Sequence, residues 1–427
     1  MKKAYLSIIG FSFLCHLNAR SQTRPDSSAN KSNNSLPVSP AKRDSNNYNP
    51  RKLRLDEIDF VSSYYNQNGD HSAVTGGIGS EKVTDFSNSI TLNLIWFGKT
   101  GNKNSLAAGM GFDYHTAASQ AYVSPTGASK ASGTRISPSL DWVNENAKTG
   151  NTFGAGISYS DEFNYKSLGL DANFSVKTDD KMGEFSAKLQ GYFDKVTLIY
   201  PDDFPSLLPP EPAGNGTGAD GHHHKRDYAS SPRDTYTAAL SYSQIINSRL
   251  QLALLGDVVT QNGYLGLPFH RVYFSNGKDT VEKLPSSRFK LPVGIRANYF
   301  LGDNVILRAY YRYYADSWGI RSNTIGLEVP YKVTPFFSIS PFYRFYSQSA
   351  SFYFAPYGMH SPTDEYYTSN YEFSKFDSQF FGLSFRIAPP TGVFGWQGFH
   401  ELEIRYGHYA QTTDLVSNVI SLQLGFK

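Results

Sequence analysis

The stretch ILRAYYRYYADSW, residues 306–318, decides the fold. Arg308 and Arg312 stand four apart, as neighbours on a helix do, but a helix built from these residues would have no apolar stripe. Read with period two, Ile306, Arg308, Tyr310, Arg312, Tyr314 and Asp316 share one face, and Leu307, Ala309, Tyr311, Tyr313 and Ala315 share the other. One face is charged and the other is apolar and aromatic, which suits a strand between water and lipid.

The pattern recurs along the chain. Ile90, Leu92, Leu94 and Trp96 alternate with Thr91 and Asn93, and Leu168, Leu170, Ala172, Phe174 and Val176 alternate with Asp171, Asn173 and Ser175. Phe381, Leu383, Phe385 and Ile387 alternate with Gly382, Ser384 and Arg386. Such runs, each about ten residues and bounded by turn residues, are the signature of membrane-spanning strands. The sequence predicts sixteen, near 57–66, 89–97, 105–116, 135–146, 153–163, 168–178, 184–199, 234–246, 250–262, 288–301, 305–317, 323–333, 336–353, 378–388, 400–411 and 416–427.

The connections then sort by side. KTGN, TDDKMG, INSR, LGDN and VTP are brief and follow strands running one way, whereas 202–233, 267–287 and 355–376 are long and follow strands running the other way. Short turns on one rim and long loops on the other are the asymmetry of an outer-membrane barrel. The expected fold is therefore all-β, a transmembrane antiparallel up-and-down β-barrel of about sixteen strands. Trp96, Trp142 and Trp396 fall at the short-turn ends and Trp318 at the opposite end, where interfacial girdles belong. The final LQLGFK places Leu422, Leu424 and Phe426 on the lipid face and is similar to the terminal strand of outer-membrane proteins.

Composition agrees. Of 427 residues, 15% are aromatic and only 18% charged, with 30 Tyr, 30 Phe and 36 Gly, a balance that favours a large β structure. A net charge of +3 gives no reason to expect a nucleic-acid partner. The single cysteine, Cys15, excludes a disulfide framework. It lies in MKKAYLSIIGFSFLCHLNARSQ, where Lys2 and Lys3, an apolar run and the small residues Ala19 and Ser21 predict a cleaved export signal over 1–21. The large Leu14 argues against acylation of Cys15. Residues 22–54, rich in Ser, Asn, Pro and Lys, are expected to form a disordered periplasmic tether, and 55–427 the barrel. No later run reaches the 18 apolar residues a membrane helix needs, so any further span must be made of strands.

The period-two phase also predicts the lumen wall. Arg296, Arg308, Arg312, Lys332, Arg344, Arg386 and Arg405 point inward on neighbouring strands, with Asp316, Glu328, Glu401 and Glu403 among them. The first half is expected to be lined mostly by Ser, Thr, Asn and Gly. A basic wall lowers the barrier for anions. The competing reading is a ladder of Arg–Glu and Arg–Tyr hydrogen bonds that satisfies a polar interior.

Other chemistry is thinner. His222, His223 and His224, in DGHHHKRD, could offer imidazoles to zinc or copper, though consecutive residues of an extended loop cannot all face one ion. His115, His270, His360 and His408 fall near one rim with Ser119, Ser275 and Ser361 nearby, but none has the context of an activated nucleophile. TGGIGSEK, residues 75–82, lacks the strand-to-helix setting of a phosphate loop. Neither an enzyme nor a cofactor is expected.

Two stretches carry a resemblance. DEIDFVSSYYNQNGDHSAVTGGIGSEKVTDFSNSITLNL, residues 56–94, and QNGYLGLPFHRVYF, residues 261–274, resemble an outer-membrane β-barrel family of unknown function from Bacteroidota and some proteobacteria. The resemblance implies fold and location, and assigns no residue a role. Family members tend to be encoded near a thioredoxin-like protein, a lipoprotein and a flavin transferase, which implies a setting of extracytoplasmic redox or metal traffic. The functional expectation is a porin-like channel for small polar or anionic solutes. Its rival is a non-conducting anchor or partner-gated component, with the 74–80 region folded into the pore or offered to a periplasmic or lipoprotein partner. Outer-membrane lipid and the assembly machinery are the other expected partners.

Overall fold

The computed structural model describes residues 52–117, 132–162, 164–201, 204, 206–207 and 228–427. Its strands are β1 (Arg54–Asn68), β2 (Val83–Phe97), β3 (Lys103–Ala117), β4 (Ser132–Glu145), β5 (Thr152–Glu162), β6 (Tyr165–Lys177), β7 (Gly183–Thr197), β8 (Ser230–Asn247), β9 (Leu250–Gly263), β10 (Arg271–Tyr273), β11 (Asp279–Val281), β12 (Ser287–Leu301), β13 (Val305–Asp316), β14 (Arg321–Glu328), β15 (Tyr331–Thr334), β16 (Phe337–Gln348), β17 (Phe376–Ile387), β18 (Phe399–Gln411) and β19 (Val416–Phe426). β10 and β11 form a hairpin of their own within a long loop.

All other neighbours pair antiparallel, and β19 returns to β1 in unbroken register from Ile58 opposite Phe426 to Asn68 opposite Val416. The sheet closes and has no edge. β14 and β15 are halves of one wall strand, since both pair with β13 and β16. They part at Pro330, which has no N–H to give the ladder. Counting them once, the barrel has sixteen strands, and each predicted strand overlaps an observed one. The barrel begins at Arg54, one residue before the expected start. The predicted signal and all of the tether up to residue 51 lie outside the described residues.

The outward face is apolar all round. Ile90, Met110, Ile157, Leu189, Leu254, Ile325, Phe381 and Ile420 each leave more than a third of their area uncovered. A continuous apolar belt is untenable in water and is what a bilayer requires. Among the described residues no helix is long and apolar enough to cross a membrane. Trp318 departs from its expected girdle position. It is 2% exposed, its indole Nε1 donates to the Ser287 carbonyl at 2.9 Å, and it packs inward beneath the long loops.

Candidate functional site

Register places the lumen-facing residues of neighbouring strands side by side. On the wall from β12 to β18, Arg308 Nη1 donates to Glu328 Oε1 at 2.8 Å, and Arg405 Nη2 reaches the other oxygen of the same carboxylate at 3.4 Å. Arg386 pairs with Glu401 at 2.6 Å, while Glu403 accepts from the Ser384 hydroxyl at 2.7 Å. Asp316 serves Arg288, an inward cation the sequence reading did not single out, with Arg288 Nε donating at 2.9 Å. For these residues the ladder reading holds. Arg296, Arg312 and Arg344 form no ion pair with a described carboxylate, although Asp257 on the adjoining β9 acts on Arg312 from farther off, so this arc keeps excess positive charge. Lys332 is exposed at the short-turn rim, beside Arg249 and Asp303, and stands apart from the ladder.

Two arginines rest on rings. Arg405 lies 4.0 Å from the centroid of Phe342 and Arg344 lies 5.0 Å from that of Phe380, with the two rings 5.1 Å apart. The rings lie along the wall because Gly382 faces Gly407 across β17 and β18. A Cβ on Gly382 would meet the Phe342 ring at 2.6 Å, and one on Gly407 would meet the Phe380 ring at 2.5 Å. Two glycines make a floor, two rings cover it, and two guanidiniums stack above.

The opposite arc, β1 to β8, has abundant Ser and Gly as expected, but also inward carboxylates. Asp113 binds Arg135, Asp171 meets Lys188 at 3.4 Å, and Asp194 meets Arg233 at 3.4 Å. Asp141 and Asp171 converge over Gly156, which lies between them in register. A side chain at Gly156 would collide with an oxygen of each. The alternation of β4 and β6 carries this signal, yet only the register brings the two carboxylates together. Arg308, Arg386 and Lys188 keep 39%, 47% and 40% of their side-chain area accessible, so water reaches both arcs.

The long-loop rim is different. Residues 69–82, 264–286 and 349–375 pack on one another above the barrel. His71 stacks on Tyr371 with ring centroids 3.7 Å apart, and Gly77, at φ +87°, approaches the Ser369 carbonyl too closely for any side chain. His270 and Glu282, each 2% exposed at the side chain, lie 3.5 Å apart, and Glu282 also accepts from Thr368 Oγ1 and the Leu267 N–H. Burial alone would raise the Glu282 carboxyl, but His270 and these donors hold it below the usual range. Two lumen-facing glutamines tie the loops inward. Gln67 donates to the Glu81 carbonyl at 3.1 Å, and Gln348 to the carbonyls of Glu372 and Ser374 at 2.9 and 2.6 Å. Within the 74–80 region, Val74, Gly76 and Gly77 are buried against the neighbouring loops, while Ile78, Gly79 and Ser80 are exposed.

The rim histidines are engaged in these contacts. His360 Nδ1 is 3.3 Å from Asp364 and its Nε2 is 3.0 Å from the Thr368 carbonyl, while His408 meets Asn418 at 2.9 Å. His115 lies 3.9 Å from Glu162 on the inner wall. Among the described residues no group of three or more His, Cys, Asp or Glu could hold a metal ion, and His222, His223 and His224 lie outside them.

Residues 34–419 match the family described as "Protein of unknown function (DUF3570)", and the chain belongs to it. Among curated proteins, none matches the chain. Solved structures similar in shape include OccK1 (OpdK) of Pseudomonas aeruginosa, at 7% identity and TM-score 0.38, covering 87% of this chain and 97% of that one. A BenF-like porin from Pseudomonas fluorescens Pf-5 has 7% identity and TM-score 0.42, covering 88% and 98%. A bacterial polysaccharide outer membrane secretin has 8% identity and TM-score 0.42, covering 88% and 99%.

Proposed function

We propose that this member of the family is a channel of the bacterial outer membrane, passing small polar solutes, anions among them, through its lumen. The carrying observation is a closed barrel in which Arg308, Arg386 and Lys188 remain accessible to water while Arg296, Arg312 and Arg344 form no ion pair with a described carboxylate, Asp257 on β9 acting on Arg312 only from beyond that distance. In this reading the short turns face the periplasm and the long loops face outward. Single-channel recording of the refolded protein across a salt gradient tests it: stable conductance steps support it, and silence from a barrel shown to be folded removes it.

A second reading rests on the loops. Their packed core, fastened to Gln67 and Gln348, supports a mouth held narrow until a partner or ligand moves it. Steps that appear only after the loops are shortened support this gated form.

A further inference from the structure

The two arcs of the lumen carry opposite charge, and they face each other. Asp141 on β4 and Asp171 on β6 converge at Gly156, with Lys188 beside them, 3.4 Å from Asp171. Arg312 on β13 and Arg344 on β16 have no described carboxylate within ion-pair distance, and among the described residues Asp257 on β9 acts on Arg312 from farther off. In the ring, four wall strands separate the two groups on one side (β7, β8, β9 and β12) and six on the other (β17, β18, β19, β1, β2 and β3). The groups therefore stand nearly across the lumen from each other. At roughly 4.8 Å per strand they are some 24–34 Å apart along the wall, beyond the screening length of about 8 Å in physiological salt. Neither group neutralises the other, and each sets the potential of the water within a screening length of its own wall.

A simple ion gains at one wall what it loses at the other. A molecule with an ammonium at one end and a carboxylate at the other gains at both, once it is turned across the lumen. We propose that the solutes this lumen passes best are small zwitterions, oriented with the ammonium toward Asp141 and Asp171 and the carboxylate toward Arg312 and Arg344. The inference rests on the channel reading above and names its solute class. Gly156 is the positioning residue on the acidic side, because only its missing side chain lets both carboxylates reach one spot.

The test uses the refolded full barrel in liposomes, with KCl conductance measured on the same preparation. The probes are alanylalanine, its N-acetylated anion and its amidated cation, which are nearly equal in size. Alanylalanine is expected to enter roughly threefold or more faster than either derivative. Asp141→Asn with Asp171→Asn is expected to abolish that advantage and move the KCl reversal potential toward chloride. Arg312→Gln with Arg344→Gln probes the other wall independently and is expected to abolish the advantage while moving the potential toward potassium. Equal entry of the three probes, or fastest entry of the anion, through a barrel that conducts KCl overturns the zwitterion inference and leaves the channel standing. A folded barrel that conducts no KCl overturns both.

Discussion

Arg405 and Glu328 are separated by 77 positions in the chain, yet the Arg405 guanidinium reaches Glu328 Oε2 at 3.4 Å across the width of β16 and β17. Arg405 packs over the Phe342 ring, whose tip reaches the space left free at Gly382. Arg308 takes the other oxygen of the same carboxylate. One glutamate therefore restrains two cations.

Glu328→Gln is expected to move the reversal potential toward chloride, because Arg308 and Arg405 lose their common counter-charge together. Glu403→Gln, whose carboxylate accepts from Ser384, is the comparison. A shift in the potassium direction for Glu328→Gln would contradict the assignment of that carboxylate to the water-facing wall.

Gly382→Ala forces a methyl group against the Phe342 ring and the Tyr406 carbonyl. Overpacking of this kind costs about 1–3 kcal/mol. The expected result is a lower denaturant midpoint, together with an altered conductance as Arg405 loses its aromatic support. Gly256→Ala is the control, since nothing lies within 4 Å of a Cβ there. Equal midpoints for the two variants would remove the role given to the glycine floor.

Gln348→Ala deletes the donor that holds the Glu372 and Ser374 carbonyls to the wall. Residues 349–375 should then be cut by protease faster than in the parent protein, and open-channel current should become larger and noisier. Protection and current both unchanged would show that the other loop contacts suffice.

Burial, reinforced by Glu372, raises the Glu81 carboxyl from the ordinary value of 4.5 to about 7. The packed loop keeps its proton over a range in which a released loop gives it up. The stabilising contribution is therefore complete below about pH 4.5 and is lost as pH rises to about 7. Hydrogen exchange of residues 69–82, corrected for intrinsic rate, should show falling protection over that interval. Glu81→Gln should flatten the dependence, and a persistent slope in that variant would assign it to another group.

Much of this architecture was legible in the chain. Period-two alternation depends only on neighbouring residues, and in a barrel every strand meets lipid on one side and water on the other, so the pattern survives folding intact. ILRAYYRYYADSW thus identified its strand and the inward direction of Arg308 and Arg312. Loop lengths, also local, gave the two rims. Which inward charges meet could not be read this way. Glu328 is shared by Arg308 and Arg405, Arg288 claims Asp316, and Asp141 joins Asp171 over Gly156, all through registers fixed only when sixteen strands close together. Trp318 went astray for the same reason: at a strand end, alternation cannot distinguish a membrane girdle from a packed loop core. The loops covering the mouth have no period to read. Their inward turn depends on Gln67 and Gln348 meeting backbone carbonyls that the chain alone leaves far apart, and that meeting exists only in three dimensions.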